Sequence, residues 1–109
     1  MSPSEFLSLA DETLAAIEDA VGRIGDDGDV DIEASRAGNV VTIEFGDGSK
    51  IIVNSQEPMQ EMWVAARAGG FHFRWQDGAW RDTREGTELF AALSKLVSAQ
   101  SGQGVRLKP

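Results

Sequence analysis

The hydrophobic period of the chain changes twice, and those two changes limit the folds open to it. Up to residue 24 the apolar side chains Phe6, Ala10, Leu14, Ile17, Val21 and Ile24 recur in steps of four and three, the spacing of one helical face. From residue 29 the period drops to two: Val30, Ile32 and Ala34 alternate with Asp29, Asp31 and Glu33, the pattern of a strand with one buried and one wet face. Beyond residue 82 helical spacing returns, with Leu89, Phe90, Leu93, Leu96 and Val97 on one side. The chain therefore reads as helix, strands, helix.

Local signals place the elements. Ser2-Pro3-Ser4-Glu5 predicts a helix start, with Ser2 as N-cap, Pro3 at the first helical position and Glu5 closing a capping box. Gly22 and Gly25 bracket its expected end, one of them a candidate C-terminal cap. After the strand that begins at residue 29, NVVTIEF (39–45) and SKIIVNS (49–55) flank the turn Gly46-Asp47-Gly48, and Ala37-Gly38-Asn39 turns the chain before them. MWVAAR (62–67) is expected as a fourth strand, broken by Gly69-Gly70. FHFRW (71–75) and AWRD (79–82) follow as a fifth and a sixth around Asp77-Gly78. The second helix is expected to begin near Asp82 or Thr83. Strands joined by tight turns are antiparallel. The predicted class is α+β, a two-layer α-β sandwich with two helices on one face of a five- to six-stranded antiparallel sheet. At 109 residues, residues 1–109 are expected to form one domain.

Charge is distributed as unevenly as hydrophobicity. Residues 1–33 carry ten acids against the single base Arg23, a net charge of −9, whereas residues 34–109 sum to +1. A long-range field of that sign repels phosphates, so neither nucleic acid nor an anionic membrane is expected as partner. With no cysteine and one histidine, thiolate sites, histidine-rich metal sites and cysteine nucleophiles are excluded. The absence of a basic and apolar N-terminal stretch, and of any apolar run near 20 residues, leads to an expected cytoplasmic location.

Solubility requires interspersed charge, not a block of it. Glu18, Asp19, Asp26 and Asp27 lie toward the C-terminal, electronegative end of the first predicted helix, where each carboxylate costs about 0.3–1 kcal/mol. Neighbouring carboxylates ~6 Å apart repel by a further ~0.7 kcal/mol per pair. A cluster that opposes folding points to a role outside folding. All-oxygen donors suit hard cations such as Ca²⁺, Mg²⁺ and iron. An EF-hand beginning at Asp27 fails, because Ile32 stands where glycine is needed and Gly38 where the bidentate glutamate is needed. Strand carboxylates at Asp29, Asp31 and Glu33 would point the same way about 6–7 Å apart, too far to share one ion directly. Any binding along this surface is shallow, weak and wet. On the fourth strand, core positions for Met62 and Val64 turn Trp63 outward, the orientation of an interaction surface. Trp75 and Trp80 are assigned to core or edge packing, and His72 to an ordinary strand position.

The segments SEFLSLADETLAAIEDA, DVDIEASRAGNVVTIEFGDGSKIIVNSQEPMQEMWVAARAGGFHF and GTELFAALSKLV resemble bacterial frataxins of the CyaY type over nearly the whole chain. Two motifs carry the resemblance: N-x-Q-E-P-x-x-x-x-W-(L/V)-A at Asn54 to Ala65, and Gly-Gly-aromatic-His-Phe at Gly69 to Phe73. The resemblance implies a role in iron–sulfur cluster assembly and weak binding of Fe²⁺ and Fe³⁺ along a ridge formed by Glu18, Asp19, Asp26, Asp27, Asp29 and Asp31, flanked by Asp11, Glu12 and Glu33. It also implies a cysteine desulfurase and a cluster scaffold protein as partners, a monomer in the absence of iron, and partner contacts at Glu18, Asp19, Asp26, Asp27, Glu44, Asn54 and Trp63. Two other readings compete with an iron-binding regulator. A ferroxidase is disfavoured because the Glu-x-x-His pairs usual in di-iron centres do not occur, and a metal-independent acidic adaptor would use the charge alone.

Overall fold

The computed structural model describes all residues, Met1–Pro109. Helix α1 (Pro3–Asp26) is followed by strands β1 (Ile32–Ala37), β2 (Val40–Phe45), β3 (Lys50–Gln56), β4 (Glu61–Ala66), β5 (Gly69–Gln76) and β6 (Ala79–Asp82), and then by α2 (Leu89–Ser101). The strands form one sheet in sequence order, each antiparallel to the next. Both helices cover the same face. The result is the expected two-layer sandwich, with six strands.

The α1 start follows the local chemistry. The Ser2 hydroxyl accepts from the Glu5 backbone N–H at 3.1 Å and the Glu5 carboxylate accepts from the Ser2 N–H at 2.9 Å, which satisfies two otherwise unpaired donors of the first turn. The backbone N–H and the hydroxyl of Ser2 together hold the Glu5 carboxyl below its ordinary pKa of 4.5. The end of α1 differs from expectation. Neither Gly22 nor Gly25 caps the helix, which runs through both to Asp26, and the left-handed turn falls on Gly28 (φ +81°). Gly25 has a different duty: a Cβ there would stand 2.7 Å from the Ile32 carbonyl oxygen, so its lack of a side chain lets β1 start against the last turn of α1.

Three other boundaries also differ. Asp29 and Asp31 precede β1 instead of lying on it, because the chain needs residues 27–31 to turn from the helix into the sheet; of the three acids predicted on the strand only Glu33 is there. The hairpin after β4 turns at Arg67-Ala68, and Gly69 and Gly70 are already paired with Ala66 and Ala65. Helix α2 starts at Leu89, six residues after the expected Thr83. Asp82 Oδ1 accepts from the Arg84 and Glu85 N–H groups at 2.7 and 3.1 Å, and Gly86 N–H closes that single turn on the Asp82 carbonyl. The helix proper then begins where the Glu88 carboxylate accepts from the Phe90 and Ala91 N–H groups.

The core lies between the layers. Val41, Ile43, Phe45, Ile51, Val53, Met62, Val64 and Phe73 point from the sheet toward Phe6, Leu14, Ile17 and Val21 of α1 and Leu89, Leu93 and Val97 of α2, all of them buried. Trp80 of the short edge strand β6 closes one end, packed edge-on against Phe6 (ring centroids 6.0 Å, 86°) and Trp75 (5.4 Å, 74°). Its indole Nε1–H donates to Thr13 Oγ1 at 2.9 Å, and that hydroxyl donates in turn to the Leu9 carbonyl at 2.8 Å. A buried indole N–H left without an acceptor costs about 1–3 kcal/mol. Thr13→Val keeps the shape and removes the acceptor, so urea unfolding is expected to show a loss of about 1–3 kcal/mol; a change below about 0.5 kcal/mol, the size of an ordinary surface substitution, would show that this bond does not tie α1 to β6.

Candidate functional site: an acidic ridge and an uncovered sheet face

The structure distributes the nine ridge carboxylates over several neighbouring surfaces. Asp11 and Glu18 line an open groove of about 590 Å³ between α1 and the β1–β2 turn, together with Leu7, Ala10, Leu14, Arg36, Gly38, Asn39 and Ser55. Asp11 is ion-paired with Arg36 of β1 across it. Glu12 sits on the other flank of α1, in the cleft that contains Trp75 and Trp80, so consecutive residues Asp11 and Glu12 serve different surfaces. Asp27 and Asp29 border a third cleft against the C-terminal segment Gln103–Arg106. Asp31 lies over Gly46 and next to Asp47 at the β2–β3 turn. Glu33 faces outward from the sheet, directly opposite Glu44.

These acids are accessible and almost wholly unpaired. All but the half-buried Glu18 are exposed, and Asp11 alone has a cationic partner within 4 Å. No three His, Cys, Asp or Glu side chains are gathered into a group able to hold a metal ion. In donor chemistry the surface suits a hard cation, but in geometry it offers one or two carboxylates at a time, with water completing the shell. No helix is long and apolar enough to cross a membrane.

Opposite the helices, the second face of the sheet is covered by no element of the fold. Glu44, Asn54 and Trp63 all project from it, since each alternates with buried neighbours on its strand. Asn54, Trp63 and His72 form one row across β3, β4 and β5. Trp63 is turned outward as its spacing predicts, but it is half-buried: its indole lies flat on the His72 imidazole, with centroids 4.4 Å apart and planes within 9°. His72 is therefore more than the ordinary strand residue expected of it. Asn54 Oδ1 accepts from Gln56 Nε2 at 2.6 Å.

A residue that spacing alone did not single out lies beneath this row. Glu61 is only 2% exposed although it points to the uncovered face. Its Oε1 accepts from Trp63 Nε1 at 2.9 Å and lies 3.4 Å from His72 Nδ1; its Oε2 accepts from Arg74 Nε at 3.0 Å and is ion-paired with Arg74 Nη2 at 2.8 Å. Burial pushes the carboxyl's pKa up, but the Trp63 and Arg74 hydrogen bonds, with the charges of Arg74 and His72, outweigh it and hold the group below its ordinary 4.5. The sequence did contain a signal. An acid two residues before an outward tryptophan shares that tryptophan's face, and a tight hairpin returns an arginine opposite it. Asp47 at the β2–β3 turn is also lowered, to about 2, by the Ser49 hydroxyl and N–H and by Arg67.

A carboxyl whose folded pKa lies below its unfolded value stabilises the fold at every pH above the unfolded value, and that contribution vanishes as pH falls through the folded pKa. Glu61→Gln is thus expected to be less stable than the parent at pH 7, with the difference shrinking as pH falls below 4.5. Thermal melts of both proteins from pH 7 downward measure this directly, and a difference that stayed constant with pH would contradict the ionised state of Glu61.

With this geometry in hand, comparison with known proteins is specific. Residues 1–103 match the family model of the frataxin-like domain. The chain is 63% identical over 107 residues (98% of this chain, 95% of the relative) to the iron-sulfur cluster assembly protein CyaY of Ralstonia nicotianae, and 56% identical over the whole of both chains to the CyaY of Paraburkholderia phymatum. Among solved structures, the frataxin of Psychromonas ingrahamii superposes over all of both chains with a TM-score of 0.88 at 32% identity. This chain belongs to the frataxin-like family.

Proposed function

We propose that this protein is an iron-binding regulator and adaptor of iron–sulfur cluster assembly. It takes Fe²⁺ and Fe³⁺ weakly as cargo on the acidic ridge, and docks through the same ridge on a cysteine desulfurase. The observation that carries this reading is the set of accessible carboxylates left without cations: of the nine ridge acids, only Asp11 is neutralised within the fold. The names of the relatives, iron-sulfur cluster assembly proteins, supply the pathway.

The chemistry follows from the arrangement. Exposed carboxylates spread over neighbouring surfaces bind a hydrated ferrous ion through one or two oxygens each, fast and reversibly, which suits a protein that senses or passes on iron and does not store it. The same unpaired charge, −9 in the first 33 residues, steers the ridge onto a basic patch of a partner, with an on-rate that falls as salt rises. Iron and partner compete for one surface, so iron supply adjusts the docking. The uncovered sheet face, with Glu44, Asn54 and Trp63, provides a second contact, assigned to the cluster scaffold protein.

Two measurements test the reading. In a ferrous titration followed by NMR under anaerobic conditions, the first resonances to shift or broaden are expected to be those of Asp11 through Glu33; perturbation centred on His72 would refute the ridge as the iron surface. Reversing charge in Asp26→Lys, Asp27→Lys and Asp29→Lys together is expected to weaken binding to a bacterial cysteine desulfurase about tenfold or more at low salt, with the gap closing toward ~0.5 M salt. Unchanged affinity at low salt would remove the docking half of the proposal.

A further inference from the structure

Among the ionised side chains of the fold, Glu61 is the only buried one, and it lies on the face that no helix covers. A carboxylate shut off from water in a sheet needs several donors to remain charged. Glu61 draws all of its donors from outer-face residues. One oxygen takes the Trp63 indole N–H at 2.9 Å and lies 3.4 Å from His72 Nδ1, and the other takes the Arg74 Nε–H at 3.0 Å and is ion-paired with Nη2 at 2.8 Å. The side chains that bury it are the ones it organises.

This arrangement has a mechanical consequence. A tryptophan on an open sheet face is free to change rotamer, and ordering it on binding costs affinity. Here the indole is held on two sides, by the hydrogen bond to Glu61 through its nitrogen and by the parallel His72 ring against its face. Arg74, half-exposed and opposite Glu61 across β4 and β5, is held in the same way, so its guanidinium cannot swing over the indole. Trp63 is presented in one orientation, beside the Asn54 amide, before any partner arrives.

We infer that Glu61 is a positioning residue for partner docking: it preorganises the Trp63–His72 pair and Arg74 into a rigid platform on the uncovered face and does not itself touch the partner. This rests on the reading that the uncovered face docks the cluster scaffold protein.

The test uses the full chain and, as probe, a bacterial cysteine desulfurase–scaffold complex, titrated with Glu61→Ala, Trp63→Ala and the double variant. If Glu61 acts through Trp63, Glu61→Ala weakens binding about five- to tenfold, and the double variant binds no worse than Trp63→Ala alone. Glu61→Gln, close in size, guards against misfolding of the alanine variant. It retains an acceptor for the indole but loses the charge that holds Arg74, and is expected to weaken binding about two- to threefold while the Trp63 Nε1–H NMR resonance stays protected from exchange. In Glu61→Ala that protection is expected to be lost. Normal binding by Glu61→Ala, or losses that add in the double variant, would overturn the positioning role while leaving the docking reading intact. Normal binding by Trp63→Ala would overturn both. Ridge docking on the desulfurase is tested separately by the charge reversals at Asp26, Asp27 and Asp29, which leave the outer face unaltered.

Discussion

Burial of one face of the six-stranded sheet under α1 and α2 is the constraint on which the other features depend. Alternate residues of β2, β3 and β4, among them Val41, Ile43, Ile51, Val53, Met62 and Val64, reach zero or near-zero exposure only because two helices of matching one-sided character lie across them. With about 25 cal/mol gained per Å² of apolar surface removed from water, this layer dominates the energetics of the fold. The few polar groups allowed inside are satisfied: Thr13 relays between Leu9 and Trp80, and no buried side-chain nitrogen or oxygen lacks a partner. Once the helices are committed to one face, the other is left open, and α1 must present its polar stripe to solvent beside β1.

That division separates two kinds of surface chemistry. On the ridge, charge is exposed and uncompensated, which costs stability and leaves the carboxylates free for cations or a basic partner. Around Glu61 on the uncovered face, charge is compensated: the buried carboxylate, Arg74, Trp63 and His72 satisfy one another. The first surface is open and its field is screened by salt, suited to loose and rapid association. The second is tied together by hydrogen bonds, an ion pair and ring stacking, suited to contact that depends on shape.

Much of this is legible in the sequence. Ser2, Pro3 and Glu5 specify the helix start by local hydrogen bonding, and the turns at Gly38-Asn39, Gly46–Gly48 and Asp77-Gly78 specify the hairpins, because such signals act within a few residues. The structure departs from the local pattern where another contact overrides it. Gly25 reads as a cap but is a point of close approach to Ile32. Asp82 does start a turn, as its sequence suggests, yet the helix waits until Glu88 because Gly86 closes that turn on Asp82. Asp29 and Asp31 alternate like strand residues but are used up in the corner between α1 and β1.

By itself, the sequence determined the helix–strands–helix order, the antiparallel class, the family and the crowding of net charge into residues 1–33, since periodicity, turn chemistry and composition are properties of neighbours along the chain. Only the tertiary structure decided which acids share a surface. It placed Asp11 and Glu18 in one groove, Glu12 in another and Glu33 across from Glu44. It alone revealed Glu61 as the buried anchor of Trp63, His72 and Arg74. The reason is physical: burial and hydrogen bonding across strands depend on register, and register between β4 and β5 exists only once the sheet has formed.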